Sequence, residues 1–165
     1  DKMRERDMLG STEIIRPARF SDVPKIRQIV DNVLVEFSFE ADPNGIDQDL
    51  QDPIASYNQA NGLLDVLVRN DHVIGFVGLI PLNTDTIELR KLYLAQNVRR
   101  CGFGGLLLDH AINWARQKHF QWMTLQTSSK LKNAAALYKL RGFCYTTGQS
   151  RGKDCDQLMR LALAR

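Results

Sequence analysis

Apolar residues recur at two periods along this chain, and the switches between them outline its elements. Ile14 to Ala18 reads as a short strand. Val23, Ile26, Ile29 and Val30 then fall three and four apart, the spacing of one helix face. They predict a helix from a cap at Ser21 or Asp22 to about Phe37, with Pro24 tolerated in the first turn. A second helix is expected within Gln48 to Gln59, started or interrupted around Pro53. Leu63 to Arg69 and His72 to Ile80 read as two strands of a hairpin joined at Asn70-Asp71. Pro81 to Asp85 is a turn, and Thr86 to Leu94 is the third strand of this meander. A long amphipathic helix, with Leu107, Ala111 and Trp114 on its apolar stripe, is predicted from Gly102 to about Lys118. Gln121 to Thr127 (strand), Leu131 to Arg141 (helix), Phe143 to Thr147 (strand) and Asp156 to Leu163 (strand) complete a mixed α/β order without repeats.

Composition narrows the class. The 165 residues suit one domain with a proper core, spanning residues 12–165. Asp1 to Ser11 is charged, lacks an apolar core, and reads as a disordered leader rather than a secretory signal. With 44% hydrophobic and 25% charged residues, disorder is not expected, and no apolar run has membrane-spanning length. The net charge of +3 is scattered, apart from Arg90-Lys91 and Arg99-Arg100, which argues against a nucleic-acid partner. Cys101, Cys144 and Cys155 are odd in number and lack metal-ligand spacing. Free thiols, no metal and a cytoplasmic setting are expected.

The densest chemical signal lies between the third strand and the long helix, in Arg99-Arg100-Cys101-Gly102-Phe103-Gly104-Gly105. A glycine-rich turn there exposes backbone N–H groups, and the helix N-terminus adds partial positive charge, making an anion cradle. Missing glycines would matter, because a Cβ blocks close approach of a phosphate. The loop is not a Walker loop, since Gly104-Gly105 is followed by Leu106, Leu107 and Leu108. It is not a dinucleotide fingerprint, since the third glycine position holds Leu107. A phosphorylated ligand is expected on Arg-x-x-Gly-x-Gly.

That spacing resembles the pyrophosphate loop of the GNAT superfamily of acetyl-CoA-dependent N-acetyltransferases. Two further segments resemble it in the same order: Ile14 to Ala18 with the helix after Asp22, and Asn133-Ala134-Ala135-Ala136-Leu137-Tyr138-Lys139-Leu140-Arg141-Gly142-Phe143. Cys101 departs from the family's usual lysine or polar residue, at a variable position. The resemblance implies a mixed, mostly antiparallel sheet flanked by helices, and transfer of acetyl from acetyl-CoA directly to a primary amine. The acceptor class stays open among small molecules, amino acids, polyamines and protein amines, and a homodimer is left open. A non-catalytic acyl-CoA-binding or sensor domain of the same fold is the alternative.

The resemblance also assigns residues. Main-chain groups of Leu92, Tyr93 and Leu94 would hold the pantetheine arm, N–H groups of Arg100, Cys101, Gly102, Phe103, Gly104 and Gly105 the phosphates beside Arg99, and Asn133 a second anchor point. Helix capping is the competing role for Asn133. Tyr138 would protonate the leaving thiolate. Free thiol near pKa ~8.5 and tyrosine near ~10 make that transfer uphill by about 2 kcal/mol at most. Core packing is its competing role. Glu88 would be the base, against a gap to an ammonium of about six pKa units, or roughly 8 kcal/mol. It needs burial or a water chain, and pairing with Arg90 is its competing role. The acidic run Glu36, Glu40, Asp42, Asp47, Asp49 and Asp52 is either a lid that steers a cationic amine or a solvated loop.

Overall fold

The computed structural model describes residues 12–164, so the leader expected over Asp1 to Ser11 lies outside the described residues. The strands are β1 (Glu13–Pro17), β2 (Leu63–Arg69), β3 (His72–Pro81), β4 (Thr86–Leu94), β5 (Trp122–Thr127), β6 (Cys144–Thr146) and β7 (Gln157–Ala162). The helices are α1 (Val23–Phe37), α2 (Pro53–Gln59), α3 (Phe103–Gln117) and α4 (Lys132–Leu140). The strands form one sheet in the order β1-β2-β3-β4-β5-β7-β6. All neighbours run antiparallel except β4 and β5, and that parallel pair is joined by the crossover helix α3.

Both sheet faces are buried. Leu63 and Leu67 of β2 pack with Leu107, Leu108 and Ala111 of α3. Leu64, Val66 and Val68 pack on the opposite side, with Ile26, Ile29 and Val30 of α1 and Tyr57 of α2. This is why β2 reads as a nearly continuous apolar run. Its one polar interruption, Asp65, is buried and is met by His110 of α3 at 2.6 Å. Each fully buried Leu or Ile contributes about 1.5–3 kcal/mol. The β2–β3 turn has Asn70 at φ 49° and Asp71 at φ 64°, the two positive values that a type I′ hairpin turn demands.

Two features of β4 create the site. Its pairing with β3 passes from Gly78↔Lys91 to Leu79↔Leu89, so Arg90 is an extra, bulged residue. The bulge inverts the alternation. Ile87 and Leu89 before it, and Leu92 and Leu94 after it, all pack on the α3 side, whereas Tyr93 packs on the α1 side. In addition, β5 pairs with β4 only from Thr86 to Leu89, and then continues alongside β7 to Thr127. Beyond Leu89 the parallel strands part, and β4 from Arg90 to Leu94 has no strand partner on that edge.

Local details depart from the sequence expectation. The second helix is not among these departures: α2 starts at Pro53 as expected, after a 3₁₀ turn (Gln48–Leu50), and its N-terminus is capped by Asp52 accepting from the Ala55 N–H at 3.3 Å. Asp22 does not cap α1. It accepts from Arg16 at 2.7 and 3.1 Å and from the Arg19 N–H at 2.7 Å, and the Arg16 bond above all holds its carboxyl below its ordinary pKa. β6 shrinks to three residues because Phe143 is drawn into the core.

Candidate active site

A cleft of about 780 Å³ opens where β4 and β5 part. Leu92, Tyr93 and Leu94 line it, and alternate main-chain N–H and C=O groups of that edge have no strand to bond. Across it stand the loop from Arg99 to Gly105 and the first turns of α4. Nearly all residues expected at the cofactor site therefore meet in one place. The side chains of Cys101 and Phe103 do not line the cleft. Cys101 Sγ turns to the Arg99 carbonyl at 3.5 Å, and Phe103 is buried beneath the guanidinium of Arg69.

The loop's shape follows from two residues in the left-handed region, Arg100 at φ 63° and Gly102 at φ 83°. They turn the chain into α3. Among the described residues, none of the N–H groups from Arg100 to Gly105 makes a hydrogen bond. This is a concave run of open donors at a helix N-terminus, which is how a protein backbone binds an anion. A Cβ on Gly104 would sit 3.4 Å from Leu137 and 3.8 Å from Leu94, ordinary contacts, so the core does not demand glycine there. Gly105 is instead covered by Arg141, which is itself held by Asp109 at 2.6 Å.

Charge surrounds this cradle. Arg99 lines the cleft but is paired with Glu36 at the end of α1, with an oxygen at 2.6 Å. Arg100 and Lys132 line it with no carboxylate partner among the described residues. Lys130 also lines it, donating to the Phe37 carbonyl at 3.4 Å. Reasoning from sequence passed over Lys130 and Lys132, although their place just before Asn133 at a helix start was a usable signal. Asn133 lines the cleft in the first turn of α4. The helix cap is Leu131, and the Asn133 side chain makes no hydrogen bond among the described residues.

Tyr138 is buried on α4, its ring 5.6 Å from that of Phe143, and it lines the cleft. Its hydroxyl makes no hydrogen bond among the described residues, and burial raises its pKa. Packing and cleft exposure thus coexist in one side chain.

Glu88 is 4% exposed and does not line the cleft. It accepts from Arg90 Nε at 2.5 Å, from Arg151 through both oxygens (2.6 Å to Oε1), and from Gln126 at 3.5 Å. Both carboxylate oxygens are therefore already engaged. Arg90 and Gln126, which it holds, do line the cleft.

The acidic run is partly paired, its six carboxylates meeting three cations among the described residues. The buried ammonium of Lys91 lies 3.2 Å from both Asp47 and Asp49 and donates to the Ile46 carbonyl at 3.0 Å. Tyr57 donates to Asp49. Glu36 pairs with Arg99, Glu40 lies 3.8 Å from Lys153, and Asp52 caps α2. Lys91 ties the segment down onto β4; of its two expected forms, acidic lid or solvated loop, the buried Asp49–Lys91 pair rules out a freely solvated loop, and the pairing reduces the charge a lid would present.

Burial raises the pKa of Tyr57 and Tyr93, with the Asp49 and Asp47 carboxylates adding to the respective shifts, and raises that of Tyr138. A folded-state pKa above the unfolded value makes a contribution that is complete below the unfolded value, near 10, and is lost as pH rises beyond it. Thermal melts should therefore show no tyrosine-linked loss of stability below about pH 10 and a progressive loss above it. A melting temperature that is flat through pH 11 would contradict this.

No described helix is long and apolar enough to cross a membrane. Among the described residues, no group of three His, Cys, Asp or Glu is placed to hold a metal ion.

Comparisons with known proteins concern the family and the fold. The model of the acetyltransferase (GNAT) family matches residues 28–143. The chain is 29% identical over 154 residues to the uncharacterized N-acetyltransferase YjgM of Escherichia coli K12, covering 88% of this chain and 92% of that one. An uncharacterized N-acetyltransferase of Schizosaccharomyces pombe is 26% identical over 125 residues, covering 74% and 76%. A GNAT acetyltransferase crystal structure from Staphylococcus aureus Mu50 superposes with a TM-score of 0.85 at 19% identity, covering 93% of this chain and all of that one. The acetyltransferase yncA of Salmonella typhimurium, solved with its cofactor acetyl-CoA, superposes with a TM-score of 0.75 at 20% identity, covering 93% and 95%. With sequence and fold in agreement, the chain belongs to the acetyltransferase (GNAT) family: it is an acetyltransferase, and acetyl-CoA is the acyl donor that family uses.

Proposed function

We propose that this protein transfers the acetyl group of acetyl-CoA directly to a primary amine, without a covalent enzyme intermediate. The observation that carries the reading is that Arg100, Gly102, Gly104 and Gly105, whose N–H groups are open, line the same cleft as Tyr138 and the unpaired edge of β4. The N–H run suits the donor's pyrophosphate, with Arg100, Lys130 and Lys132 adding charge. The Leu92–Leu94 edge suits the amide-bearing arm, as an added strand would. Asn133 is free to anchor either part.

The chemistry asks for little beyond placement, which by itself accounts for much of such an acceleration. A bond forms between the amine nitrogen and the acetyl carbon, the carbon–sulfur bond breaks, the leaving thiolate takes the Tyr138 proton, the amine's proton passes to water, and Tyr138 regains a proton from solvent. A main-chain N–H of the β4 edge is suited to polarise the thioester carbonyl. Glu88 has a positioning role in this reading, because it acts through Arg90 and Arg151 rather than by touching the amine.

Isothermal titration with acetyl-CoA and with CoA tests the donor. Micromolar binding of acetyl-CoA is expected. Binding of neither compound would overturn the proposal.

A further inference from the structure

Two charged clusters adjoin at neighbouring positions of β4. Around Lys91 one cation faces two carboxylates, Asp47 and Asp49, leaving one negative charge over. Around Glu88 one carboxylate holds two guanidinium groups, Arg90 and Arg151, leaving one positive charge over. Arg90 and Lys91 both line the cleft.

Arg90 is the informative member. Its side chain is only 13% exposed and commits its Nε–H to Glu88 at 2.5 Å. Among the described residues, its terminal N–H groups donate to nothing. Those terminal nitrogens are not sealed from solvent, and Arg90 lines the cleft, so its open donors face it. A guanidinium so placed is a good receptor for a planar anion, and a carboxylate matches its fork. Glu88 fixes its orientation from behind. Arg151 is held at the same carboxylate, with its backbone N–H anchored by Gln126 at 2.5 Å, so it helps fix the Glu88 that orients Arg90.

Resting on the acetyl-transfer reading above, we propose that the acceptor is a small zwitterion, an amine that also carries a carboxylate, of which a free amino acid is the simplest case. Arg90 receives the carboxylate, and Glu88, shared with Arg151, holds Arg90 in place for it. A polyamine would bring only positive charge to two arginines. A protein amine carries no carboxylate at this spacing.

The test is steady-state acetylation by the full chain, followed by CoA release, with the free amino acids, their C-terminal amides and spermidine as acceptors. At least one free amino acid should be used with a kcat/KM about tenfold or more above that of its amide and of spermidine. Arg90→Gln should raise KM for that amino acid by about tenfold or more, with little change in kcat, and should leave the amide unaffected. Should Arg90→Gln fail to fold, Arg151→Gln, altered on an exposed side chain, should give the same KM effect in weaker form. An amide or spermidine used as well as the free acid would overturn the proposal. So would unchanged KM in the variants, or no turnover of any free amino acid by protein that binds acetyl-CoA. Failure to bind acetyl-CoA at all would overturn the underlying reading as well.

Discussion

Gly104→Leu is expected to weaken acetyl-CoA binding by about 100-fold or more, close to 3 kcal/mol, while the protein stays folded. The expectation rests on what surrounds this glycine. A methyl group there would meet Leu137 and Leu94 at ordinary contact distances, so packing alone tolerates a side chain. Replacing a helical glycine by another residue also raises helix propensity by up to about 1 kcal/mol. What a larger side chain does occupy is the cleft over the open N–H groups of Arg100 to Gly105. Titration calorimetry gives the affinity, and a thermal melt shows whether the fold survives. Gly104→Ala should fall between wild type and Gly104→Leu. Undiminished affinity in a folded Gly104→Leu protein would remove the anion cradle from the account.

Tyr138→Phe should lower kcat by about 100-fold and leave the affinity for acetyl-CoA within about twofold. The ring is what packs against Phe143 and fills the core, and phenylalanine keeps it. The hydroxyl has no partner among the described residues, so removing it breaks no structural bond. Burial makes Tyr138 a weaker acid than free tyrosine, so its proton transfer to the leaving thiolate is further uphill than the free-group values give. The shift also has a definite sign for kinetics. The phenol stays protonated through neutral and mildly alkaline pH, so loss of the Tyr138 proton should not lower kcat below about pH 10. The measurement pairs turnover of the best acceptor with calorimetry on the same variant. Equal losses of turnover and of donor affinity would mean that Tyr138 only supports the fold.

Much of this site was legible because its signals are local. The turn residues Asn70-Asp71, the glycines of the phosphate loop and the apolar spacing of α3 and α4 each act within a few residues, where backbone sterics and helix periodicity rule. The positions of Tyr138 and Asn133 relative to Gly102 and Gly104 came with a family resemblance carried by two such local motifs. The placement of Glu88 and of the acidic run was not legible in the same way. Glu88 and Arg90 sit two apart, so their pairing could be anticipated, but Arg151 comes to Glu88 from far along the chain. The acidic run read as a lid or a solvated loop because Lys91, its buried counter-ion, lies on a distant strand.

By itself the sequence determined the kinds of element, their order, the hairpin and the glycine-rich turn before the long helix. Each of these follows from side-chain period and backbone freedom within a short window. Only the tertiary structure decided that Arg90 is a bulge, that β4 and β5 part after Leu89, and which charges cancel one another. Register, strand divergence and ion pairing depend on which distant segments share a neighbourhood. A residue's charge or hydrophobicity says that a partner is needed, and only the folded chain says which partner it has.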